Sequence, residues 1–286
     1  MKKILSIVLA AFLSTAIFAQ ETESKDYLPK SGDISIGLNA TPFLNYAGNI
    51  LNGTVGNTLN LTNQTIYGRY YIADDAAVTF DLNVNNTTNV DKDLVDDIAA
   101  DVAAAAAVPP TTSDKTVEDV QKVKNNRVTI NAGYIKFRGN GRLRGFYGGK
   151  LMYQYAKLNI IENTWGNEIN GTTQGIIGAT SALTARTISQ KPNATSTIGL
   201  SPVIGVEYYI APKICIGVEL NLMWAVTMSN NFVERTSEYW DAGATTPARV
   251  EETTVEDESV RNKSYDRQTI TSTGTAGGNL YVMFSF

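Results

Sequence analysis

The sequence predicts an all-β chain closed into an antiparallel, up-and-down transmembrane β-barrel, most simply of eight strands. Ten or twelve follow if residues 173–190 or 253–273 add hairpins. Three observations carry this. The first is strict alternation. Ile214, Ile216, Val218, Leu220, Leu222, Trp224 and Val226 are interleaved with Cys215, Gly217, Glu219, Asn221, Met223 and Ala225. Side chains point to opposite faces along a strand, so one face is wholly apolar and the other mostly small or polar. The second is that long and short connections alternate along the chain, as in a membrane barrel with short turns at one rim and long loops at the other. The third is that no stretch after residue 19 approaches the roughly 18 apolar residues of a membrane helix, whereas a barrel strand needs only about 9–11.

Taken in order, residues 1–19 read as a signal peptide. Lys2 and Lys3 precede an apolar run from Ile4 to Phe18, and the small Ala19 is the expected cleavage point. Removal leaves 267 residues and takes the charge from −4 to −6, which argues against nucleic acid as a partner. Residues 20–31 form a polar lead-in, and 32–286 one barrel domain. Residues 32–40 are the first strand, with Ile34, Ile36 and Leu38 on one face. The Asn-, Gly- and Thr-rich stretch 41–63 reads as a loop. Residues 64–72 and about 76–84 make a hairpin around Asp74 and Asp75. A long loop, 85–125, follows. Within it the aspartates and alanines of 91–107 suit a short helix with acids near its N-terminus, ended by Pro109.

Strands at 126–137 and 145–158 flank a turn containing Asn140-Gly141. Its arginines, Arg138, Arg142 and Arg144, are expected at the membrane edge. Residues 159–196 read as a loop, and 198–210 with 214–226 as a hairpin. Tyr208-Tyr209-Ile210-Ala211 repeats Tyr70-Tyr71-Ile72-Ala73, and Glu219 falls where the earlier copy has Asp81. The longest loop, 227–267, holds the acidic run Glu251 to Glu258, and the last strand ends the chain. Tyr70, Tyr147, Tyr208 and Phe286 are expected at one membrane–water boundary and Tyr155 and Trp224 at the other.

Strand parity turns Arg69, Asp81, Lys150, Glu207 and Glu219 inward. Charges in a narrow lumen need partners. The expectation is one ionic network of these five that plugs the lumen, with a selective narrow pore as the alternative. The chain has no His, so Ser-His-Asp chemistry is impossible within it. One cysteine, Cys215, cannot form an intramolecular disulfide, and with no His it makes a zinc site improbable. The acids at 251–258 lack a calcium-loop pattern, and Gly139-Asn140-Gly141 lacks a phosphate-loop spacing. No catalytic residue, metal or cofactor is expected.

The final residues carry a resemblance. Leu280, Val282, Phe284 and Phe286 alternate up to a terminal aromatic, which looks like the assembly signal of bacterial outer-membrane barrels. With the Tyr-Tyr-Ile-Ala hairpins, the chain resembles small OmpA/OmpX-like barrels of the porin family. The resemblance implies insertion into the outer membrane of a Gram-negative bacterium by the barrel-assembly machinery. For activity the resemblance is unspecific; the residues themselves lead to the expectation of a monomeric, non-enzymatic protein whose role is structural or meets an extracellular ligand through the long loops. A narrow channel for passive diffusion of small solutes is the alternative.

Overall fold

A computed structural model describes residues 27–53, 64–229, 232–257 and 273–286. The signal peptide falls outside the described residues. The strands are β1 (Ile34–Asn39), β2 (Thr65–Ala73), β3 (Ala76–Asp96), β4 (Thr116–Arg138), β5 (Leu143–Thr164), β6 (Arg186–Pro192), β7 (Thr195–Ala211), β8 (Ile214–Ser229), β9 (Phe232–Asp241), β10 (Ala248–Asp257) and β11 (Thr273–Ser285). The helices are α1 (Thr41–Leu51), α2 (Ile98–Ala105) and α3 (Gln174–Ile177).

Eight strands close a ring. β1 to β5 pair in sequence, β5 pairs with β7, β7 with β8, and β8 with β11. β11 returns to β1 through five residue pairs, Ser35–Ser285 to Asn39–Tyr281. The expected eight-strand, antiparallel transmembrane barrel is therefore the architecture. Further strands do exist, but β6, β9 and β10 extend the sheet beyond the ring and do not enlarge it.

Register sets the size of the ring. Paired residues lead from Phe284 through Ile36, Gly68, Phe80, Ala132, Leu151, Leu200 and Trp224 back to Gly274. The walk returns to β11 ten residues from its start. Eight strands with that stagger tilt by about 40° around a radius of about 8 Å, an interior that side chains can fill. Each residue then climbs roughly 2.5 Å along the barrel axis, and each step to the next strand shifts the level by roughly 3 Å.

The two faces are inverted relative to a protein dissolved in water. Outward positions carry Ile34, Ile36, Tyr70, Val78, Phe80, Tyr147, Leu151, Ile204, Leu220 and Trp224, all exposed. Inward positions hold buried Arg69, Asp81, Arg144, Lys150, Glu207 and Glu219. At the end with short turns the interior becomes aromatic. Tyr71, Phe137, Phe146, Tyr209 and Tyr281 pack together there, with Tyr27 and Leu28 of the lead-in against them. The lead-in is pinned by Lys213 N–H donating to the Tyr27 carbonyl (3.0 Å) and by the Lys213–Asp33 ion pair (3.0 Å). Slight burial opposes the charge on Asp33. The Lys30 N–H and the Lys213 ammonium outweigh it and hold that carboxyl below its ordinary value.

Four sequence expectations need correction. Residues 85–125 are not mainly loop. β3 continues to Asp96 and β4 starts at Thr116, so both run far past Val84, where the apolar alternation ends. Water covers both faces of this extension, so no alternation is required of it. Lys92–Glu118 (2.6 Å) and Lys124–Glu162 (2.6 Å) ion pairs lie across its strands. The expected helix is shorter, Ile98–Ala105, and starts where the Asp97 side chain accepts from Ala100 N–H (3.0 Å). The loops read at 159–196 and 227–267 likewise contain β6, α3, the β9–β10 hairpin and the outer parts of β5 and β8. The stretch 41–63 opens with α1, helped by Pro42 in its first turn.

Gly205 shows how tightly the turn end is filled, because a Cβ there would run into the Phe146 ring and the Val218 carbonyl. Gly205→Leu is expected to cost about 3 kcal/mol through overpacking. Urea unfolding of protein refolded into lipid vesicles measures this; an unchanged midpoint would contradict the packing.

Candidate functional site

The inward charges stand at two levels. Nearer the turns, β2 supplies Arg69, β7 supplies Glu207 and the start of β5 supplies Arg144. Arg69 Nη1 donates to Glu207 Oε1, and Arg69 Nη2 to the Tyr281 hydroxyl (2.8 Å). That hydroxyl donates in turn to Glu207 Oε1 (2.7 Å), and the Tyr209 hydroxyl donates to Oε2 (3.2 Å). Arg144 Nη2 donates to the Tyr209 hydroxyl (2.9 Å) and lies 3.9 Å from Glu207 Oε2. Arg144 also stacks over Phe137, 3.7 Å from the ring centre. Glu207 is 0% exposed, so its charge survives only because two guanidiniums and two phenols surround it.

The second level lies toward the loops. Lys150 on β5 donates to Asp81 Oδ2 on β3 (2.9 Å) and to both oxygens of Glu219 on β8 (2.8 Å each). Tyr67, whose ring centre is 5.4 Å from that of Tyr281, stands between the levels. Among the described residues no hydrogen bond or ion pair joins the two. The structure thus divides the five expected charges: Arg69 with Glu207, and Lys150 with Asp81 and Glu219. The lower group carries two cations and one anion, the upper group the reverse, so the charges of these six residues cancel. Above the upper group a polar cavity of about 280 Å³ is lined by Thr65, Arg127, Asn131, Gln154, Asn221 and Asn279 among others.

Arg144 corrects the sequence reading. It was expected at the membrane edge, yet it is 2% exposed and central to the lower group. Parity held the signal, since 144 falls on the same face of its strand as Lys150. Tyr209 and Tyr281 share the inward parity of Glu207 and Met283 and were missed for the same reason. The boundary aromatics stand on the outer wall. Tyr70, Tyr147 and Phe286 are exposed at the turn end and Tyr208 is half-buried there, while Tyr155 and Trp224 are exposed toward the loops. Val282, Phe284 and Phe286 alternate outward with buried Tyr281, Met283 and Ser285, and Leu280 precedes them.

Among the described residues no cluster of three or more metal-binding side chains occurs, and no helix is long and apolar enough to cross a membrane.

The model of the OmpA-OmpF-like porin family matches residues 54–230. Two solved structures match the chain at low identity. The outer membrane protein OprG from Pseudomonas aeruginosa is 8% identical with a TM-score of 0.36, over 91% of this chain and 98% of that one. A major outer membrane protein from Thermus thermophilus is 12% identical with a TM-score of 0.35, over 89% and 98%. No curated protein matches the sequence.

Glu207→Ala strands two buried cations and is expected to cost about 3–5 kcal/mol. Lys150→Met is expected to cost less, because its carboxylates border the polar cavity. Urea midpoints of the two variants in vesicles check the order, and a larger loss for Lys150→Met would refute it.

Proposed function

We propose, because the chain belongs to the OmpA-OmpF-like porin family, that this outer-membrane barrel works without catalysis. It is a closed scaffold that holds a rigid extracellular β-structure for contact with a partner outside the cell. The observation that carries this reading is the filled lumen. At the periplasmic end Tyr71, Phe137, Phe146, Glu207, Tyr209 and Arg144 are each no more than 2% exposed. An interior of this radius has no room for both that packing and a through-path. The lack of histidine removes the usual general base and agrees with a non-enzymatic role.

On this reading the lipid partners are the acyl chains around the outer wall. Leu280, Val282, Phe284 and Phe286 serve as the assembly signal during insertion. The extracellular ligand meets the extension built from β3 to β6, β9 and β10, and the barrel acts as a monomer.

A second reading has one observation in its favour. The polar cavity stops at the Lys150 level, so displacing the lower group would extend it toward the periplasm and make a narrow channel. Planar-bilayer recording separates the two. The scaffold reading expects no stepwise conductance from the refolded protein, and expects steps only after Arg69, Arg144 and Glu207 are all replaced by Ala. Regular steps from the unaltered protein would replace it with the channel.

A further inference from the structure

The barrel wall is uneven. β1 has six residues and β2 nine, while their outer neighbours β11 and β3 have thirteen and twenty-one. Beyond Tyr281, β11 pairs with β8 on one side, but among the described residues it has no strand partner on the other. β3 is likewise without β2 beyond Asn83. From the climb per residue and per strand, Asn39 lies roughly 10 Å below the level of Trp224, inside the apolar band. Among the described residues the wall therefore drops at this place to about mid-membrane, beside a polar cavity that Thr65, Tyr67 and Asn279 help to line.

Helix α1 starts at this step. Only Asn39 and Ala40 separate it from Leu38, the last outward apolar residue of β1, and Ala40 N–H donates to the Leu280 carbonyl of β11 (2.8 Å). Its eleven residues, Thr-Pro-Phe-Leu-Asn-Tyr-Ala-Gly-Asn-Ile-Leu, carry no charge. Thr41, Asn45 and Asn49 recur every four residues along one side. Phe43, Ile50 and Leu51 fall opposite, with Leu44 beside them. Phe43, Leu44, Ile50 and Leu51 are 45%, 56%, 57% and 86% exposed. Four large apolar side chains on an uncharged helix would be unfavourable in water. The sequence of β11 is also modified here. Gly274, Ala276 and Gly278 stand in register with Trp224, Leu222 and Leu220 of β8. Gly278, exposed on the outer face, adds no bulk there.

We propose that α1 is a membrane element. It lies in the outer leaflet with Phe43, Leu44, Ile50 and Leu51 among the lipid acyl chains, and it covers the step where β1 and β2 end. Its apolar face continues the belt of the barrel, and its Asn side is turned away from the acyl chains. The helix replaces strand in one sector of the wall, where it screens the open strand edges from lipid.

The test uses the full mature chain, Cys215→Ser, refolded into phospholipid vesicles. Single cysteines replace Leu44, Asn45, Asn49, Leu51 or, as an aqueous control, Thr253 on β10. Each carries a nitroxide, and collision with oxygen is compared with collision with a water-soluble nickel chelate. Labels at 44 and 51 are expected to favour oxygen by about threefold or more over the label at 253, as for an apolar helix face buried in a membrane interface. Labels at 45 and 49 are expected to fall between. Nickel access at 44 and 51 equal to that at 253 overturns the proposal, as does oxygen access at 45 and 49 equal to that at 44 and 51. Tryptophan gives an independent reading should the labels disturb folding. In a Leu44→Trp, Trp224→Phe chain, lipids brominated on their acyl chains are expected to quench the new residue, and no quenching overturns the proposal.

Discussion

Backbone hydrogen bonding without water is the constraint behind this structure. In hydrocarbon an unpaired N–H or C=O costs several kcal/mol, so a sheet can cross only if it closes on itself. Closure depends on the seam between β1 and β11, five residue pairs long. It brings Ser35 and Ser285 together, hydroxyl to hydroxyl at 2.6 Å, across nearly the whole described chain. The stagger of ten residues follows from that pairing, and the radius follows from the stagger. The radius decides that the interior must be filled.

Filling a narrow polar interior is a problem of charge as much as of volume. The lower group solves it with aromatic rings. Arg69 lies 5.3 Å from the Phe146 ring centre and 5.1 Å from that of Tyr281, so the guanidiniums are met by carboxylate, phenol and π-face together. The upper group relies on one ammonium held by two carboxylates. Because the two groups have opposite net charge, the charges of these six buried residues cancel within the barrel.

Much of the ring was legible because two solvents imprint a period on a strand. Lipid outside and a packed lumen inside force alternation in β7 and β8, and the turns at Asp74-Asp75 and Asn140-Gly141 are marked by their own chemistry. Legibility ends where the solvents stop differing. The outer halves of β3 and β4 meet water on both faces, and Asn85, Asn86, Thr87 and Thr88 read as loop while they pair with Arg127, Asn126, Asn125 and Lys124. The inward parity of Arg69, Asp81, Lys150, Glu207 and Glu219 was readable, but their division into two levels was not. Depth depends on stagger, and stagger comes from pairings between distant segments. Arg144 was readable by parity and was obscured by its closeness to the turn.

The long strands also decide what kind of surface the cell presents. From Val84 to Asp96, β3 carries its ladder with β4 roughly 30 Å further along the axis. A tethered coil of the same length would sample many shapes and lose entropy on capture. A hydrogen-bonded ribbon arrives already shaped, like a mast stepped into the hull of the barrel. Residues at its tip therefore keep a fixed bearing relative to the bilayer, and their identity can drift without disturbing anything that lipid touches.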